Sequence, residues 1–450
     1  FMQKLLAQAP SNISLSKEVS AWMLSITKTL NESAQEIRQK TVTRQTRKAI
    51  LTKLEKAAEE YREKVYRMNG FSGKSNVEVS EIQKLMQVSL TVLDETIANN
   101  KRSDGLYNAY NIINYTGEQV EVEELYPMLE GQVAILSSGV LTAKQAVELL
   151  DKLFASDMYR EDQQSFMLYP DRDLTTFINK NRIPDDIVER NTLLTSMVER
   201  GDTRLINCDT EGQYHFHADF ENVGDLALAL QGVLVDYNDV LDSEAQDVLQ
   251  SYELVFNHKA FTGRSGTMFG YEGLGSIYWH MVSKLLLAVQ ENYQVAQFDA
   301  PDSKETQKLA EYYYRVRAGI GFNKTPENYG AFPTDPYSHT PKHAGAQQPG
   351  MTGQVKEEII TRFGELGLNV IDGVISINPT LLNQSEFIQQ PDVFKYENVF
   401  GDSMVKGVEK NSLAFTYCQV PFIYMVSEVR DTEMSVVMKD DRDVLIQGTQ

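Results

Sequence analysis

Ser276-Ile277-Tyr278-Trp279-His280-Met281-Val282-Ser283-Lys284-Leu285-Leu286-Leu287-Ala288-Val289-Gln290 is the longest apolar stretch of the chain. A bilayer span needs about 20 predominantly apolar residues, and this run is shorter and is interrupted by His280 and Lys284. It reads as a buried helix, and the same texture recurs on both sides of it. Thr142 to Phe154 opens on a residue that can cap its helix and carries Ala146, Val147, Leu149, Leu150 and Leu153 on adjoining faces. Val223 to Leu234, Ser243 to Asn257 and Ser303 to Ala318 repeat the pattern. Long helices about 35 to 50 residues apart, joined by irregular Gly- and aromatic-rich loops, predict a helical toroid rather than a doubly wound sheet. No close repeat of the short-motif solenoid kind is present.

Toward the N-terminus, Leu5 to about Asn99 also reads as helix, with Ile50, Leu54, Ala57, Ala58 and Tyr61 at helical spacing. Arg38 to Arg67 is laced with Lys, Arg and Glu four residues apart, the pattern of a solvated helix face. Gly70-Phe71-Ser72-Gly73-Lys74-Ser75-Asn76 breaks it and marks a boundary. Past Gly367 the texture turns to strand: Leu368 to Pro379 is two β-branched runs around Asp372-Gly373, a hairpin signal, and Ser412 to Val420 and Glu433 to Met438 also favour strands. The predicted organisation is mainly α: an N-terminal helical segment over 1–75, a helical toroid over 76–365 and a β-rich domain over 366–450.

Of the 450 residues, 43 are Lys or Arg and 63 Asp or Glu, a formal net charge of −20. Such a field repels nucleic acid and anionic membranes, so neither is an expected partner. At 42% hydrophobic and 24% charged residues the chain can build a sizeable core. Cys208 and Cys418 form no CxxC pattern, which supports neither a disulfide framework nor a thiolate metal site. A reduced, cytoplasmic protein is expected, with a periplasmic location left open. Phe1-Met2-Gln3-Lys4 lacks the layout of a signal peptide, and the chain is expected to be a piece of a longer polypeptide.

Four stretches hold residues suited to chemistry. His215-Phe216-His217-Ala218-Asp219 offers two imidazoles at strand spacing; without a second cluster to complete a coordination sphere, hydrogen-bonding histidines are the favoured reading and no metal is expected. Phe261 to Ser276 packs five glycines into sixteen residues around Arg264, Ser265, Tyr271 and Glu272. Its backbone can approach a ligand closely, Arg264 can fork a phosphate or carboxylate, and the spacing is not that of a nucleotide P-loop. Thr334 to Gln354 is a polar loop with His339, Lys342 and a Thr352-Gly353 pair ahead of a helix, a place where N–H groups can meet an anion. Ser103-Asp104-Gly105-Leu106-Tyr107-Asn108-Ala109-Tyr110-Asn111 sets a carboxylate among aromatic rings and amides, the surroundings a sugar ring needs.

In their order these stretches resemble the later part of the glycoside phosphorylases of glycoside hydrolase family 94, the cellobiose-phosphorylase type, and their relatives acting on β-glucans. Ser103-Asp104-Gly105 sits where that family has its Trp-Asn-Asp-Gly acid segment, and Met128-Leu129-Glu130-Gly131-Gln132-Val133 is similar to the start of the helix after it. Trp279 matches the later Trp-containing helix, Asp335-Pro336-Tyr337 through Thr352-Gly353 the phosphate-side loops, and Leu368 to Pro379 the hairpin. The resemblance covers roughly residues 100 to 385. It departs at Arg102, where the family has tryptophan, and near Gly275, where the family has a phosphate-binding histidine.

The resemblance implies an (α/α)6 barrel with a C-terminal β domain and inverting phosphorolysis of β-glucosidic bonds in gluco-oligosaccharides, giving α-glucose 1-phosphate. Inorganic phosphate is then a co-substrate and no other cofactor is expected; the missing N-terminal portion of a longer chain is an expected partner, and a homodimer is left open. Asp104 is the implied acid, with Tyr107, Asn108, Tyr110, Glu130 and Tyr271 on the sugar and Arg264, Ser265, His339, Lys342, Thr352 and Gly353 on the phosphate. An acid must hold its proton near neutrality, so Asp104 is expected in surroundings that raise its pKa. Two alternatives stand beside this: an inverting hydrolase with Glu272 as base, and a non-catalytic carbohydrate-binding chain.

Overall fold

The computed structural model describes residues 2–39, 42–67, 70–170, 175–237, 242–257, 277–320, 339–340, 354–371, 373–426, 433–437 and 443–447. It divides into two compact units, Phe1–Glu358 and Ile359–Gln450.

The first unit opens with α1 (Met2–Ala7), β1 (Asn12–Ser16), α2 (Lys17–Arg38), α3 (Arg44–Arg62), a π-helical turn (Glu63–Arg67), β2 (Lys74–Glu78) and α4 (Val79–Asn99). The sequence reading placed helix at 12–16, but β1 pairs antiparallel with β2, Ser14 opposite Asn76. Ile13 and Leu15 alternate with polar neighbours at the period of a strand, and Ser16 then caps α2 by accepting the Val19 N–H at 3.4 Å. α2 packs between α3 and α4. Trp22 meets Tyr61 with ring centroids 5.3 Å apart, and the buried hydroxyls of Thr27 and Ser33 donate to Met23 O and Thr29 O within the helix. The basic face of α3 is partly engaged: Arg47 Nη1 donates to Val120 O at 2.9 Å and Arg44 pairs with Glu121, tying the helix to the hairpin of β3 (Ile112–Thr116) and β4 (Gln119–Glu123).

Next come α5 (Leu129–Ser137), α6 (Ala143–Phe154), β5 (Tyr159–Arg160) and β6 (Ser165–Phe166). Thr142 and Gln145 close a reciprocal capping box at the start of α6.

A separate core follows. It is built by α7 (Phe177–Lys180), α8 (Asp185–Arg190), α9 (Thr192–Arg200), β7 (Ile206–Cys208), β8 (Tyr214–Phe216), α10 (Val223–Leu234) and α11 (Asp242–Phe256). Its buried residues, among them Ile183, Leu194, Met197, Phe216, Leu226 and Tyr252, all come from positions 183–255. Phe216 meets Tyr252 edge-on at 5.0 Å, and the Tyr252 hydroxyl donates to Phe220 O at 2.9 Å.

The chain then returns to α5 and α6 through β9 (Ile277–Tyr278), α12 (Trp279–Asp299) and α13 (Lys304–Ala318). Asn292 on α12 donates to Leu136 O at 2.8 Å and locks α12 onto α5. Phe154 at the end of α6 stacks on Tyr312 of α13 at 5.2 Å, with the Arg315 guanidinium 3.8 Å from its ring centroid. Two-residue β10 (His339–Thr340) and α14 (Gln354–Glu365) complete the helical run.

In the second unit β11 (Leu368–Ile371) pairs with β12 (Val374–Ile377) around the Asp-Gly turn. Further antiparallel pairs are β13 (Asp392–Glu397) with β14 (Ser403–Val408), β15 (Ser412–Tyr417) with β16 (Val420–Met425), and β17 (Glu433–Val437) with β18 (Asp443–Gln447). Phe415 stacks on Phe422 across one pair at 5.3 Å, and the Tyr424 hydroxyl donates to Leu366 O at 2.6 Å.

Candidate functional site

The loop from Asn100 to Asn111 is a tight, internally bonded turn. Lys101 and Tyr107 form an antiparallel bridge, Arg102 N–H donates to Leu106 O at 2.8 Å, and Gly105 N–H donates to Arg102 O at 3.1 Å. Gly105 turns the tip with φ +89°, a conformation that side chains disfavour, and a Cβ there would sit 3.0 Å from Lys152 Cγ of α6. Asp104 at the tip caps the turn from within, its Oδ1 accepting the Leu106 N–H at 3.0 Å.

Arg102 wraps back over this carboxylate. Its Nε lies 3.2 and 3.0 Å from the two Asp104 oxygens, Nη2 lies 3.0 Å from Oδ2, and Nη1 donates to Asn108 Oδ1 at 2.9 Å. The Asp104 side chain is 45% exposed, that of Arg102 25%. Partial burial pushes the Asp104 pKa up, but the Arg102 hydrogen bonds and charge and the Leu106 N–H outweigh it and hold the carboxyl below its ordinary value. The expected raised pKa is thereby corrected: a guanidinium two residues upstream reverses the direction.

α5 anchors the loop. Gln132, fully buried among apolar neighbours, accepts the Tyr107 N–H at 2.9 Å and donates to Tyr107 O and Met128 O, both at 2.9 Å. The sequence reading missed this residue; its signal was a lone amide inside the apolar run Leu129 to Leu136. Of the sugar-side candidates, Tyr107 is buried, with its hydroxyl pKa raised by that burial, Asn108 is engaged by Arg102, and Glu130 is buried in the first turn of α5. Tyr110, at φ +57° and half exposed, is the aromatic face open to solvent.

Backbone links lead onward from this loop. Leu129 N–H donates to Leu168 O at 2.7 Å, Met167 bridges to Ile277, and β9 pairs with β10 so that Tyr278 stands opposite His339. One phosphate-side position, His339, is therefore placed by its backbone beside the start of the Trp279 helix. Arg264, Ser265, Tyr271, Glu272, Lys342, Thr352 and Gly353 lie outside the described residues.

The two histidines at 215 and 217 are used locally. His215 Nδ1 is 2.7 Å from Asn181 O and its Nε2 3.0 Å from Asp209 Oδ2, while His217 Nδ1 accepts the Asp219 N–H at 3.3 Å. Among the described residues no group of three or more His, Cys, Asp or Glu is arranged to hold a metal ion, and no helix is long and apolar enough to cross a membrane.

Residues 174–259 match the family model described as GH149 phosphorylase insertion domain 2. The matched span coincides with the separate core of α7 to α11, inserted between the Asp104 loop and the Trp279 helix. The match supports a glycoside phosphorylase-like family and a role in carbohydrate metabolism; it is to family 149 rather than to family 94. No curated protein matches the chain.

Proposed function

We propose that the chain is the catalytic portion of an inverting glycoside phosphorylase that cleaves β-glucosidic bonds in gluco-oligosaccharides with inorganic phosphate and releases α-glucose 1-phosphate. The observation that carries this reading is the phosphorylase insertion-domain match lying between Asp104 and Trp279, the two landmarks that sequence order assigns to the acid and to the phosphate-side helix. The helices around α5, α6, α12 and α13 are then part of an (α/α)6 barrel, with the insertion rising from one of its loops.

Inverting displacement needs one enzymic carboxyl, because phosphate itself is the nucleophile on the opposite face of the sugar ring. Asp104 protonates the departing glycosidic oxygen as its bond to C1 breaks and a phosphate oxygen bonds to C1. Tyr110 offers the sugar an aromatic face, and the resemblance assigns the phosphate to Arg264, Ser265, His339, Lys342 and the Thr352-Gly353 N–H groups, residue types that suit an anion in a chain of net charge −20.

Turnover of β-gluco-oligosaccharides should depend on inorganic phosphate and yield glucose 1-phosphate in the α configuration, read by NMR. Asp104→Asn should lower turnover of an unactivated disaccharide by about 10²–10⁴-fold while sparing much of the rate on substrates with good leaving groups. Phosphate-independent release of free glucose would point instead to a hydrolase, and undiminished turnover in Asp104→Asn would remove Asp104 from the acid role.

A further inference from the structure

As the loop stands, the Asp104 carboxylate is held as an acceptor on both of its oxygens. Oδ1 accepts from Arg102 Nε and from the Leu106 N–H, Oδ2 accepts from Nε, and Nη2 stands 3.0 Å from Oδ2 in the ion pair, so both oxygens are engaged by the guanidinium. Arg102, by contrast, has a second acceptor: its Nη1 bond to Asn108 Oδ1, at 2.9 Å, does not involve Asp104. Asn108 is buried, so that anchor is fixed, whereas the Asp104 side chain at the tip is nearly half exposed. The other charged groups on α5, α6 and the loop are Glu130 in the first turn of α5, Lys144, Glu148, Asp151 and Lys152 on α6, of which the Lys152 stem approaches Gly105, and Lys101 in the loop itself.

We infer that Arg102 is a displaceable latch on Asp104: in the empty loop it holds the carboxyl ionised and aimed, and a sugar ring settling over the loop leaves the guanidinium on Asn108, freeing an Asp104 oxygen to carry the proton. The inference rests on Asp104 being the acid. On release the carboxylate takes a proton from water; in the reaction that proton passes to the glycosidic oxygen as the C1–O bond breaks and phosphate bonds to C1. The carboxylate left behind is paired again by Arg102 when product departs. The latch makes Arg102 a positioning residue, and it gives a reason for arginine at the place where the resembling family has tryptophan.

Two pH profiles separate this from a merely structural ion pair, because kcat/KM reports the free enzyme and kcat the complex. In the unaltered chain, together with whatever further portion activity requires, the basic limb of kcat/KM should lie at lower pH than that of kcat. Arg102→Gln should move the kcat/KM limb up by about one pH unit, toward the kcat limb, since an arginine beside an aspartate depresses its pKa by about one to three units. Arg102→Lys, which keeps the charge, should restore most of the separation. Asn108→Ala, which removes the second anchor, should leave the guanidinium on Asp104 and lower the kcat limb instead. Coincident limbs in the unaltered enzyme, or an unmoved kcat/KM limb in Arg102→Gln, overturn the latch, and the first of these needs no variant to fold. Should Asp104→Asn keep normal turnover, the acid reading falls and takes the latch with it; an inactive Asp104→Asn with coincident limbs overturns the latch alone.

Discussion

At Gly131 a missing methyl group sets how closely α5 approaches the Asp104 loop. A Cβ there would sit 2.9 Å from Ala109 Cβ and 3.3 Å from Tyr107 O, inside the distance at which real side chains pack. Gly131→Ala should therefore push the loop off α5 and strain the two Gln132 bonds to Tyr107, at a cost of about 1–3 kcal/mol. Denaturant midpoints and kcat measured together check this: a variant with unchanged stability and turnover would show that the 107–109 segment yields without consequence. At this scale the sequence was legible in identity and opaque in environment. Asp104 stood out because Asp-Gly is a turn signal beside aromatic rings, and the turn is there. The direction of its pKa was not legible, because it depends on a side chain reaching back across the turn, and periodicity says nothing about that reach.

Among elements, the helix that the sequence announces by a capping residue is capped as read, Thr142 accepting the Gln145 N–H before α6, and the structure adds Ser303 before α13 and Asn222 before α10, which accept N–H groups of the first turn in the same way. Strand β1 was not legible, since its period-two alternation spans only five residues and what fixes Asn12–Ser16 as a strand is a partner some 60 residues downstream (β2, from Lys74). The separate core at 183–255 escaped for a similar reason: α10 and α11 have ordinary amphipathic periods, and only packing reveals that they close on α8 and α9. One side chain stitches this core in a way sequence does not advertise. Asn181, 3% exposed, donates to Phe216 O at 2.8 Å and accepts the Phe216 N–H at 2.9 Å, standing in for a neighbouring strand at the edge of β8. Asn181→Ala leaves both buried backbone groups unpaired, which should cost about 2–6 kcal/mol at roughly 1–3 per orphaned group. Hydrogen exchange should then rise across 181–217 and stay unchanged in α5 and α12; protection retained at Phe216 would mean that water or a shifted strand replaces the amide.

Over the whole molecule two electrostatic effects oppose each other as pH falls. The formal charge of −20 at pH 7, with a sequence pI of about 4.8, makes the folded chain repel itself at neutrality, and that repulsion fades toward the pI. Against it stand carboxylates that folding favours in their charged form. The Ser72 hydroxyl and N–H hold Glu18 low, the Gln213 N–H and then His215 hold Asp209 low, and the Arg204 guanidinium brings Asp202 from 3.8 to about 2, with the Tyr237 hydroxyl adding a bond. A carboxyl whose folded pKa lies below its unfolded one stabilises fully above the unfolded value and loses that contribution as pH drops through the folded one, so these groups act between about 4.5 and 2. Asp202 alone, after allowance for solvent screening, accounts for about 1–2 kcal/mol. The two windows barely overlap, and the expected profile has a maximum: Tm rises as pH is lowered from 8 to about 5.5 while self-repulsion is relieved, then falls steeply below about 4 as the paired carboxylates protonate. Added salt should raise Tm at pH 7, where the dominant interaction it screens is repulsive, and should raise it less near the pI. Calorimetry across that range checks the profile: below the pI the net charge turns positive and repulsion grows again, so a Tm still climbing at pH 3 would mean that the paired carboxylates, Asp202 with Arg204 included, add no stability.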